Sequence, residues 1–228
     1  MPAKSLYLLR HAETLFNRQN KTQGWCDSPL TERGIQQARL AGKEIAKRGI
    51  TFDHAHCSTS ERCSDTLEIA TAEAFGEAMP YERHKGLREF NFGPFEGKDN
   101  CLEPGFPRGD FYVAYGGEND EMVTERMVRT LTEIMERPDH QSVLAVGSGG
   151  ALRTFYVANQ ERAKARPTHF CNCMAYRYEF ENGLFTCVEF ILPDLSSLEI
   201  PGLPPQMRKL GKDVSNPWEA YYNGRPPA

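Results

Sequence analysis

The residue types able to do chemistry fall at four places in the chain. Arg10 and His11 follow the run at 5–9, Arg62 follows Ser58-Thr59-Ser60, Glu89 lies in a glycine-rich stretch, and Gly147-Ser148-Gly149-Gly150 follows the apolar run SVLAV. Guanidinium groups match phosphate oxygens in planar, two-pronged hydrogen bonds, and the first turn of a helix adds backbone N–H donors that suit an anion. A histidine with a carboxyl group beside it supplies a nucleophile and an acid. Together they describe a site for a tetrahedral oxyanion. Each residue also has an ordinary reading. On residue type alone His11 is a surface histidine in a polar loop, Arg62 and Glu89 are exposed charges, and GSGG is a tight turn without the Lys of a P-loop or the GxGxxG spacing of a dinucleotide fold. Their common placement after strands favours the functional reading.

For these residues to meet, strands must bring their carboxyl ends to one edge of an open sheet. Residues 5–9 read as a first strand. Thr31 caps a helix whose stripe is Ile35, Ala38, Gly42 and Ile45, and Gly49 ends it. Residues 52–57 read as a second strand, leading into a helix with Cys63, Leu67, Ala70 and Ala74 on one side. Two strand-then-helix units predict a parallel sheet covered by helices. The stretch 86–118, with seven glycines, three prolines and several aromatics, is predicted as an ordered excursion at the sheet's rim. A helix is predicted over 120–137, with Val123, Met127, Thr130, Leu131 and Ile134 on its apolar side. The strand 142–146 is apolar without alternation, as a strand covered on both faces should be; a helix over 151–160 follows. Residues 175–180 and 184–191 predict a hairpin turning at Asn182-Gly183, which makes the sheet mixed.

Composition narrows the class. The 228 residues carry 27 Lys plus Arg against 31 Asp plus Glu, a formal charge of −4, which argues against a nucleic-acid footprint. Mean hydropathy of −0.57 and the lack of a spanning apolar stretch argue against a membrane partner. Residues 1–9 show no leader cleavage pattern, and seven dispersed cysteines fit a reducing, cytoplasmic compartment. Cys171 and Cys173 are spaced as neither a redox pair nor a zinc knuckle, so no metal is assigned there. Of the other histidines, His54 and His56 fall in a strand as packing or interface residues. His140 precedes its strand and belongs at the far end of the sheet; His84 and His169 fall in loops. The last 36 residues hold seven prolines and three glycines. They are read as a tail, 193–228, packed on a domain spanning 1–192, with Trp218 and Tyr221 as anchors.

The segment LRHAETLFNRQNKTQGWCDSPLTERGIQQA, 9–38, closely resembles the signature of the histidine phosphatase superfamily, the fold of phosphoglycerate mutases and many phosphatases. It keeps the RHxET core, Asn17, Gln23-Gly24, Asp27, the PLT of 29–31, Gly34 and Gln37. Ser58, Arg62 and Thr66, LREFNFGPFEG at 87–97, GGEN at 116–119 and SVLAVGSGGALR at 142–153 extend the likeness over residues 5–191.

The resemblance implies a three-layer α/β/α domain with a central, mostly parallel mixed sheet and a short cap-like excursion at about 94–118. It implies that His11 is the nucleophile, that Arg10, Asn17 and Arg62 surround the phosphoryl group, and that Glu89 protonates the departing oxygen. No cofactor and no metal enter this chemistry, and the partner is a small-molecule phosphate ester; a homodimer is the assembly considered. The expected reaction is phosphomonoester hydrolysis through phosphohistidine. Mutase-type transfer is the close variant, disfavoured because 97–115 is short for a segment that must enclose a three-carbon substrate. The chain departs from the pattern at Ser148, where the family has a second active-site histidine. Serine donates one hydrogen bond but is shorter than imidazole and cannot become cationic. The competing class is therefore a degenerate or engineered member that binds phosphorylated compounds or a protein partner.

Overall fold

The apolar runs predicted as strands pair into one six-stranded sheet in the order β3-β2-β4-β1-β5-β6. The computed structural model describes residues 3–102, 104, 108–167 and 170–198. The parallel part comprises β1 (Lys4–Arg10), β2 (His54–Ser58), β3 (Glu82–His84) and β4 (Ser142–Gly147). β5 (Ala175–Glu181) and β6 (Leu184–Ile191) form the expected hairpin and join β1 antiparallel. Asn182 and Gly183 have φ of 51° and 77°, the left-handed pair a tight two-residue turn demands. Most of the tail, from 199 on and including Trp218 and Tyr221, lies outside the described residues, as does His169.

Pleating sends alternate residues of the central strands to two different cores. Leu6, Leu8, Val143 and Ala145 face α4 (Asp120–Met135) and α5 (Gly149–Ala158), where Val123, Met127, Leu131 and Phe155 are buried. Leu9, Ala55, Cys57, Leu144 and Val146 face α3 (Glu61–Phe75) through Cys63 and Leu67. α2 (Glu32–Lys47) packs beside α3, with Ala38 and Ala41 buried against Ala12 and Cys173. Thr31 caps α2 as predicted, its hydroxyl accepting from Gly34 N at 3.0 Å, and a short α1 (Leu15–Gln19) is capped by Thr14.

Among its described residues the excursion combines short 3-10 turns at Gly93–Phe95, Asn100–Leu102 and Val113–Tyr115 with aromatic packing. Phe95 meets Phe111, Tyr112 and Tyr115 at ring separations of 5.2, 5.6 and 5.4 Å, and Phe92 meets Tyr112 at 5.0 Å. The predictions differ from the structure mainly at β3. His84, read as a loop residue, ends a three-residue edge strand paired with β2, a length too short for alternation to reveal.

Phe155 anchors α5, the helix that follows Ser148, and is fully buried with Tyr178 and Phe185 at 5.2 and 5.1 Å. Phe155→Ala is expected to cost about 3–5 kcal/mol, through lost burial plus the cavity left behind. Urea unfolding of the variant beside the parent measures it; a loss under about 1 kcal/mol would mean that α5 is not held by this contact.

Candidate active site

The register of β1 against β4 pairs Arg10 with Gly147, so the segments leaving both strands start side by side. His11 N donates to Gly147 O at 3.0 Å. Ala12 N donates to Thr66 Oγ1 at 2.9 Å, and Thr66 Oγ1 in turn donates to Arg62 O at 2.7 Å, which ties the segment after β1 to α3. Five of the six residues singled out from the sequence, Arg10, His11, Arg62, Glu89 and Ser148, come together here, and all five are buried.

The orientation of His11 is set by its own backbone neighbour. Its Nδ1 lies 2.8 Å from Ala12 O; a carbonyl only accepts, so Nδ1 carries the hydrogen and Nε2 keeps its lone pair. Burial holds the imidazole well below the ordinary histidine pKa, and the Arg62 and Arg10 guanidinium groups lower it further. The result is a neutral ring with one nitrogen ready to attack.

Arg62 has no exposed surface. Its Nη1 donates to Cys26 O at 3.0 Å and to Asp27 Oδ1 at 2.8 Å, and its Nη2 donates to Gly24 O at 2.8 Å and Ser148 Oγ at 3.2 Å. Ser148 thus accepts from the guanidinium, and its own hydroxyl hydrogen can be directed elsewhere. Cys63 Sγ is 3.9 Å from Ser148 Oγ, and burial pushes that thiol up to about 11, so it stays protonated.

The GSGG turn is more than a turn. A Cβ on Gly149 would stand 2.8 Å from Arg10 Nε, and one on Gly150 would stand 2.6 Å from Glu89 Oε1. Only glycine allows both charged groups this close to the start of α5. The Glu89 carboxylate accepts from Gly150 N at 2.7 Å and from Ala151 N at 2.9 Å. Its backbone is fixed by Arg126, which donates to Gly86 O, Arg88 O and Glu89 O at 2.7–2.9 Å and pairs with Glu118. Asn17 stands at the margin: its Oδ1 accepts from Thr14 N at 3.2 Å and from Asn172 Nδ2 at 3.4 Å.

Three supports escaped sequence reasoning. Glu96 accepts from Gly24, Trp25 and Cys26 N at 3.0, 2.7 and 3.1 Å and so clamps the loop against Arg62. Asn172 is fully buried, and its Nδ2 donates to His11 O at 2.9 Å. Arg126 is the third. Glu96 and Glu118 lay inside quoted motifs, whereas nothing in the spacing of Asn172 or Arg126 marks them.

A three-layer α/β fold with this sheet places the chain in the phosphoglycerate mutase-like class. The model of the histidine phosphatase superfamily (branch 1) matches residues 6–192, and the chain belongs to that family, whose members are phosphatases or phosphomutases. It is 25% identical over 222 residues to a 2,3-bisphosphoglycerate-dependent phosphoglycerate mutase of Hamiltonella defensa subsp. Acyrthosiphon pisum, covering 81% of this chain and 89% of that protein. Among solved structures it resembles Bacillus stearothermophilus YhfR, with 29% identity, a TM-score of 0.67 and coverage of 81% of this chain and 95% of that one. A phosphoglycerate mutase from Bacillus anthracis str. Sterne shares the fold at 23% identity and a TM-score of 0.71, over 82% and 92% of the two chains.

Because folding keeps His11 neutral, the unfolded chain binds its proton first as pH falls through 6.5. The unfolded state then holds more protons, so this group's contribution to stability is lost on acidification, by up to about 1.4 kcal/mol per pH unit. Urea unfolding at neutral pH and at about pH 5 should show a smaller acid loss in His11→Gln than in the parent; equal losses would mean that His11 titrates normally.

Proposed function

We propose that the chain hydrolyses phosphomonoesters through a phosphohistidine formed on His11. The observation that carries this reading is the fixed tautomer of a buried neutral imidazole, with Nε2 unprotonated beside two guanidinium groups. In the first half-reaction Nε2 attacks phosphorus in line, the ester P–O bond breaks, and Glu89 gives its proton to the departing oxygen. Arg10 and Arg62 neutralise the oxygens of the transferring group, and Ser148 donates its hydroxyl hydrogen to one of them. In the second, Glu89 takes a proton from water, the water oxygen bonds to phosphorus, and the N–P bond breaks to release inorganic phosphate. Asn17 borders the phosphoryl site in this proposal. The domain is 1–192 with a cap at about 94–118, and the setting is a reducing, cytoplasmic one, supported by the free thiols of Cys57, Cys63, Cys171, Cys173 and Cys187. Among the described residues no helix is long and apolar enough to cross a membrane.

A mutase reading draws on the names of the curated relatives. Against it stands the excursion. Arg108 packs its guanidinium over Phe90, Phe92 and Tyr112 at 5.6–5.9 Å, which occupies it with aromatic faces. Product analysis separates the two: hydrolysis yields inorganic phosphate, and mutase transfer yields an isomeric phosphoglycerate from a phosphoglycerate substrate.

Brief reaction with an activated aryl phosphate, followed by intact-mass and site analysis at neutral pH, should place one labile phosphoryl group on His11 and none on His11→Ala. An adduct on Ser148 would overturn the reading. In single-turnover experiments Ser148→His should raise the chemical rate by about two to three powers of ten, since it adds a longer donor able to carry charge in the transition state. A rate within threefold of the parent, roughly 0.7 kcal/mol, would show that the serine site is not impaired.

A further inference from the structure

Four of the six histidines lie away from His11 and touch one another. The register of β2 on β3 sets His56 opposite Glu82, and His84 follows two residues later on the same edge strand. Pleating therefore puts His56, Glu82 and His84 on one face. His56 Nδ1 is 3.0 Å from His84 Nε2, and Glu82 Oε2 is 3.8 Å from His84 Nε2. Their three donor atoms lie within 4.8 Å of one another.

The protons in this cluster follow from its end. Asp139 Oδ1 is 3.0 Å from His140 Nδ1, and a carboxylate only accepts, so His140 holds its hydrogen on Nδ1. His140 Nε2 is then a lone pair 3.0 Å from His56 Nε2, which must donate. His56 Nδ1 is left as a lone pair aimed at His84 Nε2, whose hydrogen fills the space between them.

We propose that His56 Nδ1, His84 Nε2 and the Glu82 carboxylate form a binding site for a divalent transition-metal ion of the zinc and cobalt type. On binding, the ion takes the place of the hydrogen between the two rings, and His84 carries its proton on Nδ1 instead, so no net proton is released. Two imidazoles and one carboxylate suit such ions and leave an open coordination position. With metal–nitrogen bonds of roughly 2.05 Å, a tetrahedral site has ligand–ligand edges of about 3.3 Å; the two edges at His84 are 3.0 and 3.8 Å, and the third lies within 4.8 Å.

The surroundings match what metal ligands need. His140 and Asp139 orient His56, and Arg137 forks the Glu82 carboxylate at 2.6 and 3.0 Å. Among the described residues, the carboxylates of Glu82, Glu133 and Asp139 and the guanidinium of Arg137 face the cluster, a balance that favours a cation. The neighbouring trio of His54, Asp139 and His140 is the poorer set. The His54 and His140 rings stack at 3.8 Å and 12°, so their in-plane lone pairs run parallel rather than converging. The proposed site is distinct from that of His11, because its ligands lie on β2 and the edge strand β3, and β2 and β4 stand between β3 and β1 in the sheet.

Full-length protein stripped of metal and titrated with Co²⁺ should bind one ion with the visible absorption of a four- or five-coordinate centre, and Zn²⁺ should displace it. His84→Asn and Glu82→Gln should each weaken binding about tenfold or more, and Asp139→Asn by about 10–100-fold through its hold on His56. His54→Asn should leave affinity within about twofold, since its ring adds no ligand. Binding that survives His84→Asn, or that is lost with His54→Asn instead, overturns the assignment, as does the absence of Co²⁺ absorption. If the edge-strand variants fail to fold, ¹⁵N correlation spectra of the parent's histidine rings decide. Zn²⁺ must shift His56 Nδ1 and His84 Nε2, and shifts confined to other rings reject the site.

Discussion

Burying the Arg62 guanidinium is the constraint around which the site is arranged. A charge without contact with water costs several kcal/mol unless it is paired and hydrogen-bonded, and here four acceptors meet its two terminal nitrogens: Asp27, two loop carbonyls and Ser148. Those carbonyls belong to Gly24 and Cys26, so the loop has to lie where Arg62 ends. Glu96 then fixes the loop by accepting three of its backbone N–H groups, and Glu96 itself is carried by the aromatic excursion. One buried charge thus links α3, the loop before α2, and the aromatic excursion.

The same charge shapes the chemistry of its neighbours. A second guanidinium, Arg10, lies close enough to the start of α5 that Gly149 has no room for a side chain. Burial first, and then the two neighbouring cations, disfavour a protonated imidazole, and the Ala12 carbonyl selects the tautomer that leaves Nε2 bare. Positive charge and an unprotonated imidazole nitrogen therefore coexist, a combination suited to a phosphate ester. Ser148 fits the pattern only partly. It accepts from Arg62 and can donate onward, but it brings no charge of its own.

Much of this was legible in the sequence, for definite reasons. The strand at 142–147 is buried on both faces and reads as a continuous apolar run, α2 and α4 show helical spacing, and Asn182-Gly183 marks its turn. The residues at the strand ends were found because strand, polar residue and helix follow one another in order. Asn172 and Arg126 were not found, because each acts by bonding backbone groups far away in the chain, His11 O and the carbonyls of 86–89. Such contacts leave no periodic trace. The histidine cluster was hidden for a related reason: β3 has three residues, and without its register His84 cannot be set beside His56.

The proposed chemistry requires His11 Nε2 to stand in line with a phosphoryl group held by Arg10 and Arg62. A crystal structure of the complex with orthovanadate measures this directly, since vanadate adopts the five-coordinate geometry of the transferring group. The expected result is vanadium bonded to His11 Nε2, with equatorial oxygens on the two guanidinium groups and the apical oxygen facing Glu89. Vanadate bound without a bond to His11, or with the His11 ring turned so that Nδ1 faces the metal, would contradict it.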